Sequence, residues 1–384
     1  MNTDSKVFLK KRFKDYYWGR EVEAPGEVHR REFGVGTLED KIRFRHKSFK
    51  TGKELNQYLK TEAPYYISYS VAYYEFPSQP MGDKRWLGAD LIFDLDKPME
   101  LLNQTRLDEV KAEAVSLVGF LTDDFGFKGG EISVNFSGSK GYHIHVFSDE
   151  VKTLNQDARR EIIDYVTGTG LDMEYFVRNV DGPAGVRFER GKAKAVAGSS
   201  VGPKPGSRGW AKRIYAVTEE LINMPVEELE KIEGVGKKTA EKLAARRAQN
   251  MRFLGDGKWD LLWGEFKSGI KKQIYSKAVA IKDEDRQVTM DTSRLIRLPG
   301  TIHGGSGLVA KKVKDVSTFN PLVHALAFGK EKVGIILSSD VGVFQLGGGE
   351  YGPYTAGETA SLEEYAAVYL LLKDKAEIAS TSAP

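Results

Sequence analysis

At 384 residues, 41% hydrophobic and 29% charged, the chain is long enough for about two domains and can bury a substantial core. It contains no cysteine, which excludes disulfides, a zinc ribbon and a cysteine-ligated iron–sulfur cluster. The net charge is only +3, no run of about 18 apolar residues predicts a membrane span, and the opening MNTDSKVFLKKRFKDYYWGR is too charged for a secretory leader, so a cytoplasmic protein is expected.

The elements are predicted as follows. Residues 1–20 place Phe8, Leu9, Phe13, Tyr16 and Tyr17 at helical spacing. Residues 26–49 read as short strands around a Gly34–Gly36 turn, and 51–60 as a short helix capped by Thr51. The Tyr-, Val- and Ile-rich run 64–76 predicts a strand, followed after a turn by a second at 87–96. A helix is expected over 105–125, then strands at 130–136 and 142–147 joined by SGSKG, then a helix over 153–167. The Gly/Pro/Ser-rich stretch 191–209 predicts a loop. Residues 216–282 turn Lys-, Glu-, Leu- and Ala-rich with helical patterning, strand-like patterning returns at 286–310 and 333–346, and 361–374 predicts an amphipathic helix capped by Ser361. The fold expected is α/β (α+β): a mixed-sheet catalytic core formed by 1–215 and 283–384, interrupted by a small helical subdomain at 216–282. Charge is uneven along it. Residues 187–213 hold eight Lys/Arg against one acid, and 315–384 hold nine acids against four Lys/Arg, so the basic stretch suits a polyanionic partner.

Four segments carry chemistry. In WLGADLIFDLDKP (86–98), strand alternation sends Asp94 and Asp96 to one face, with Leu91, Phe93 and Leu95 on the other. Cα atoms roughly 7 Å apart bring two carboxylates into repulsion unless a cation sits between them. Such hard oxygen ligands suit Mg²⁺ or Mn²⁺, and a pair of metals can clamp a phosphoryl transfer. Asp90, of the same parity but earlier on the strand, reads as structural. In FSGSKGYHIHVF (136–147), a glycine-bracketed turn offers backbone N–H groups to phosphate, with Ser137, Lys140 and His143 at hand. In MDTSRLIRLPGTIHGGSGL (290–308), Asp291 offers a third carboxylate, and Arg294, Arg297 and His303 offer charge for a triphosphate. In LEKIEGVGKKTAEKL (229–243), two short helices flank Gly234-Val235-Gly236. Lys237 and Lys238 then open the second helix, the pattern of a helix-hairpin-helix that grips a nucleic-acid backbone. Together the segments describe nucleotidyl transfer on a nucleic-acid template.

These residues resemble the catalytic small subunit of the archaeal/eukaryotic-type DNA primase, the archaeal form above all. The likeness runs through HRREFGV (29–35), RFRHKSF (43–49), SYSVAYYEFP (68–77), ADLIFDLD (89–96), SGSKGYHIHVF (137–147), RLIRLPGTIHGGSGL (294–308) and GEYGPYTAGETASLEEYAAVYLL (349–371). The resemblance implies that Asp94, Asp96 and Asp291 hold two divalent metals. It places Ser137, Lys140, His143, Arg297 and His303 on the incoming triphosphate. It also implies a single-stranded DNA template, NTP or dNTP substrates, a nucleoid-associated setting in an archaeal cell and a large-subunit partner. The alternatives are a primase-like polymerase of repair or damage bypass, and a catalytically weak nucleic-acid-binding subunit. Three departures stand out. Without cysteine the family's zinc knuckle is not expected. Ser139 stands where relatives carry a second basic residue, and Gly305 stands where they have the Lys of HGK. These shift triphosphate binding toward Lys140, Arg294 and Arg297.

Overall fold

The computed structural model describes residues 1–179, 186–189, 192–195, 200–266, 268–282 and 284–379. It combines helices with several antiparallel sheets, a mixed α/β fold. The chain forms two compact units. One comprises Met1–Val118, Phe127–Ile163 and Asp283–Pro384, and the other Gly119–Gly126 and Asp164–Lys282. Among the described residues no helix is long and apolar enough to cross a membrane.

The first unit is built on two four-stranded antiparallel sheets. One orders Leu295–Arg297, Tyr66–Ser70, Phe33–Gly36 and Phe44–Lys47, and the other orders Lys311–Val313, Ile132–Phe136, Gly141–Val146 and Leu91–Asp96. The N-terminal helix Thr3–Trp18, capped by the Asn2 side chain on the Ser5 N–H, turns Phe13, Tyr16 and Tyr17 into a core with Phe33, Leu55, Ile67, Leu298 and Ile302. Thr51 caps the helix Gly52–Glu62 as expected, accepting from the Glu54 N–H at 3.2 Å.

Several expectations are corrected. Gly34 and Gly36 lie inside the strand Phe33–Gly36 rather than in a turn. A Cβ on Gly34 would meet the Leu295 side chain at 2.6 Å, so close strand approach is what requires the small residue. The run 64–76 splits into Tyr66–Ser70 and Ala72–Tyr74, and 87–96 into Trp86–Ala89 and Leu91–Asp96, because both change sheet where the Arg31 guanidinium binds. The start of 286–310 is a short helix, Arg286–Met290, capped by the Asp285 carboxylate; only Leu295–Arg297 there is a strand. Ser361 is no cap: it pairs with Gly334 inside the strand Thr359–Glu363. The helix that follows, Glu364–Leu372, is buried on every side through Leu371 rather than amphipathic.

In the second unit, helices Gly209–Asn223, Val226–Leu229, Lys237–Ala245, Arg247–Gly255, Trp259–Glu265 and Ser268–Ala278 pack Ile214, Leu221, Leu243, Leu254, Leu262 and Ile274 together. Helix thus begins at 209, before the change of composition at 216. The predicted 191–209 loop contains the strands Lys192–Ala195, paired with Val186–Glu189, and Ser200–Val201. Within the basic stretch 187–213, residues 190, 191 and 196–199 lie outside the described residues.

Candidate active site

The strand Leu91–Asp96 pairs with Gly141–Val146 so that Asp94 lies opposite His143 and Asp96 opposite Gly141. The close fit depends on Gly141, where a Cβ would stand 1.8 Å from the Leu95 carbonyl oxygen. Both aspartates line one cleft of about 530 Å³. The Asp94 Oδ1 atom is buried without a hydrogen-bond donor, and His143 Nε2 is 3.5 Å away. Burial, then the charge of Asp285, pushes the Asp94 carboxyl up to about 6; burial, then Asp94 itself, pushes Asp96 up to about 6.

A further carboxylate, Asp285, adjoins this strand, and the sequence reading did not name it. Its backbone N–H donates to the Asp94 carbonyl at 2.8 Å, and Glu284 bridges to Leu95. Its Oδ1 accepts from the Gln287 and Val288 N–H groups, so the helix cap fixes the carboxylate next to the strand. Glu284 lies alongside, pushed up to about 7 by burial, with Oε2 unpartnered. Asp291, expected as the third carboxylate, lines the same cleft as Asp94 and Asp96. Its Oδ1 accepts from the Ser293 N–H at 2.9 Å and Oγ–H at 2.7 Å.

Among the described residues no three His, Asp or Glu side chains converge into a closed metal cage. An open pair of hard oxygens, one of them buried and bare, fits a Mg²⁺-type ion that completes its shell with water and substrate phosphates. The raised values set a direction for stability. Both carboxyls titrate above their unfolded value of 3.8, so their favourable contribution is full below that value and is lost as pH rises through about 6. At pH 8 the metal-free protein therefore carries a strained pair. Asp94→Asn should stabilise it by on the order of 1–2 kcal/mol in urea unfolding with EDTA present. Added Mn²⁺ should then stabilise the wild type and not the variant. A variant less stable than wild type in EDTA would contradict this reading.

The other wall is basic. In the turn 137–141, Ser137 Oγ accepts from the Ser139 and Gly141 N–H groups, so its first task is to shape the turn. Gly138, at φ +84°, packs on His303 Cβ and Ala310, and Ser306 donates to its carbonyl, so the 303–310 loop holds the turn in place. Lys140 borders the cleft and its charge reaches Asp96. Arg297 is buried beneath the Tyr66 ring, 4.8 Å from its centre, with Nη1 donating to the Ile67 carbonyl and Nε unpartnered; Arg294 is exposed at the rim. His143 and His303 lie in the cleft as expected, but not as cations. Burial, reinforced by Arg297, holds His143 down at about 3 and His303 well below its ordinary value. They offer N–H groups, and the positive charge comes from lysine and arginine. His303 Nδ1 accepts from the Gly305 N–H, which leaves the proton on Nε2.

The cleft also holds Lys41, Arg45 and Lys373, none of which the sequence reading named. Arg45 is positioned by paired bonds to the buried Glu32, while burial, Lys140 and Lys41 all push the Lys373 ammonium down. Lys41 sits in a loop and Lys373 just past the last helix, so only the fold brings them together. The Gly234–Lys238 segment belongs to the second unit. There Gly234 takes φ +78°, Gly236 caps the helix Lys237–Ala245, and Lys237 and Lys238 are exposed in its first turn.

Comparison with known proteins gives a consistent result. The family model described as DNA primase small subunit matches residues 93–315. The chain is similar to the DNA primase small subunit PriS of Methanothrix thermoacetophila (35% identity over 98% of this chain and 100% of the relative) and to that of Methanococcoides burtonii (35%, 98% and 99%). It is likewise similar to that of Methanosarcina acetivorans (36%, 98% and 97%).

Proposed function

The chain belongs to the DNA primase small-subunit family, and from that membership we propose that its cleft performs DNA-templated nucleotidyl transfer, making short primers and extending them. The observation that carries the reading is the division of one cleft. An acidic edge, Asp94, Asp96 and Asp291, faces a wall of Lys41, Arg45, Lys140, Arg294, Arg297 and Lys373. That is the charge pattern needed to bind a nucleoside triphosphate beside a divalent ion.

Asp94, Asp96 and Asp291, with Asp285 adjoining, would hold Mg²⁺ or Mn²⁺. When bound, such ions acidify an attacking 3′-hydroxyl and shield the leaving pyrophosphate. Arg297 and Arg294 present planar forks to phosphate oxygens, while Lys140, Lys41 and Lys373 act as point charges. The neutral His143 and His303 add N–H donors without raising the charge of an already basic wall. Glu32 and Tyr66 hold Arg45 and Arg297 in place before substrate arrives, which lowers the ordering cost of bringing two nucleotides together. That cost is steepest at initiation, with no primer, and a large-subunit partner would relieve it. Gly234, Gly236, Lys237 and Lys238 would grip the template or product backbone without reading its sequence.

The test is nucleotide incorporation on single-stranded DNA with Mg²⁺ or Mn²⁺, primed and unprimed, with and without a large subunit. Metal-dependent products are expected from the wild type. Asp94→Asn/Asp96→Asn should lower the rate by at least about a thousandfold, the loss of several kcal/mol of transition-state stabilisation. Incorporation within tenfold of wild type in that variant would overturn the assignment.

A further inference from the structure

The exposed face of the N-terminal helix is unlike an ordinary solvated surface. Val7, Lys11, Lys14 and Trp18 fall at helical spacing on the side opposite the buried Leu9, Phe13 and Tyr17. Val7 is 63% exposed and Trp18 61%, both high for large apolar side chains on a helix. Beside this stripe runs a shallow groove of about 600 Å³, in which Val7, Leu38 and Tyr65 are rimmed by Lys6, Lys10, Lys11 and Lys14. Lys10 has a structural task, donating to the Glu62 and Ala63 carbonyls at the end of the next helix. Among the described residues Lys11 and Lys14 make no ion pair or hydrogen bond. The nearby acids are few: Asp4 in the first turn, Asp15 within 3.7 Å of Arg12, Glu62 beside Lys10, and Glu39, whose carboxylate is engaged by Thr37 and its own backbone.

We propose that this groove is a binding track for single-stranded DNA, which leads the template strand toward the cleft. The proposal rests on the nucleotidyl-transfer reading above for its direction, but not for its ligand chemistry. Flat apolar surface flanked by unpaired lysines is what a single strand uses, bases stacking on the floor and phosphates meeting the ammonium groups. The loop between strands Phe33–Gly36 and Phe44–Lys47 supplies the continuity. Its Thr37, Leu38 and Glu39 border the groove, and its Lys41 and Ile42 border the cleft. Trp18, one helical turn beyond Lys14, extends the stacking surface along the same stripe.

The experiment measures binding of the full chain to a fluorescent 30-nucleotide DNA strand by anisotropy across a salt series. Three variants are compared, Lys11→Gln/Lys14→Gln, Lys11→Arg/Lys14→Arg and Trp18→Ala, each also assayed for incorporation on a template just long enough to fill the cleft. The glutamine pair should lose about tenfold in affinity at low salt, with the slope of log affinity against log salt shallower by about 1.4, or about 0.7 per lost phosphate contact on a single strand. The arginine pair should retain both. Trp18→Ala should lose affinity with the slope unchanged, because stacking releases no counterions. Incorporation on the short template should stay at the wild-type level in all three. An unchanged slope in the glutamine pair, or a wild type that does not bind the strand, overturns the track. A wild type that binds with this slope yet incorporates nothing leaves the track standing and sinks the nucleotidyl-transfer reading instead.

Discussion

Asp291→Asn should lower nucleotide incorporation by about a hundredfold or more, because Asp291 lines the cleft with Asp94 and Asp96, and Asp285→Asn tests whether a further carboxylate beside the strand contributes as well. The two residues are six apart, both acidic and both close to the cleft, but they differ in what their carboxylates face. Asp285 is tied by its backbone to the Asp94 carbonyl, and its charge is the largest influence on Asp94 after burial. An asparagine there keeps the cap, since its side-chain oxygen still accepts from the Gln287 and Val288 N–H groups, while removing the negative charge. Folding should therefore survive, and a fall in rate would report the lost charge. Asp291 lines the cleft while its Oδ1 accepts from Ser293, so Asp291→Asn keeps the turn contact and removes a carboxylate charge. Steady-state incorporation with saturating Mn²⁺, alongside thermal unfolding of both variants, separates the cases. Loss in Asp291→Asn alone would leave the third-carboxylate role with Asp291, and loss in Asp285→Asn alone would move it to Asp285.

The contrast also shows what a sequence can reveal. Asp94 and Asp96 were legible because strand alternation is a local rule, and two same-face carboxylates on an apolar strand need a cation to offset them. The turn at 137–141 was legible for the same reason, its glycines and lysine lying within a few residues. Asp285 carries no such local mark: the short helix Arg286–Met290 that it caps brings its backbone to the Asp94 strand, and Asp291, just past that helix, lines the cleft. Lys41, Arg45 and Lys373 carry no local mark, since their arrival in one cleft is a property of the two sheets and the last helix. The misread helix at 361–374 has a related cause. Its residues are apolar on all sides because it is enclosed, and periodicity cannot distinguish that from one strong face beside a few polar residues.

The other large effect lies four residues before Asp94. Asp90 and Arg31 are both 0% exposed, and their ion pair, 2.6 Å long, sits where the strands change sheet. Arg31 also donates to the Ser70 and Val71 carbonyls and lies 3.6 Å from the centre of the Tyr73 ring, whose hydroxyl donates to Asp90 Oδ1. Arg159 adds bonds to the Asp90 and Ala89 carbonyls. A buried pair of this kind contributes little net stability as a pair, because desolvation offsets the attraction, but removing one partner strands the other charge. Asp90→Ala should therefore cost about 3–5 kcal/mol in urea unfolding, leaving the Arg31 guanidinium uncompensated and the Tyr73 hydroxyl without an acceptor. Replacing both partners, Arg31→Met with Asp90→Ala, should recover part of that loss, and the double-mutant cycle reads the coupling directly. The sign is opposite to that of Asp94→Asn in the metal-free protein, although both substitutions remove an aspartate from the same ADLIFDLD run. The aspartate with a permanent cation supports the scaffold; the one without strains it. If Asp90→Ala unfolds with wild-type stability, the junction is held by packing alone, and the cleft above it does not depend on this charge.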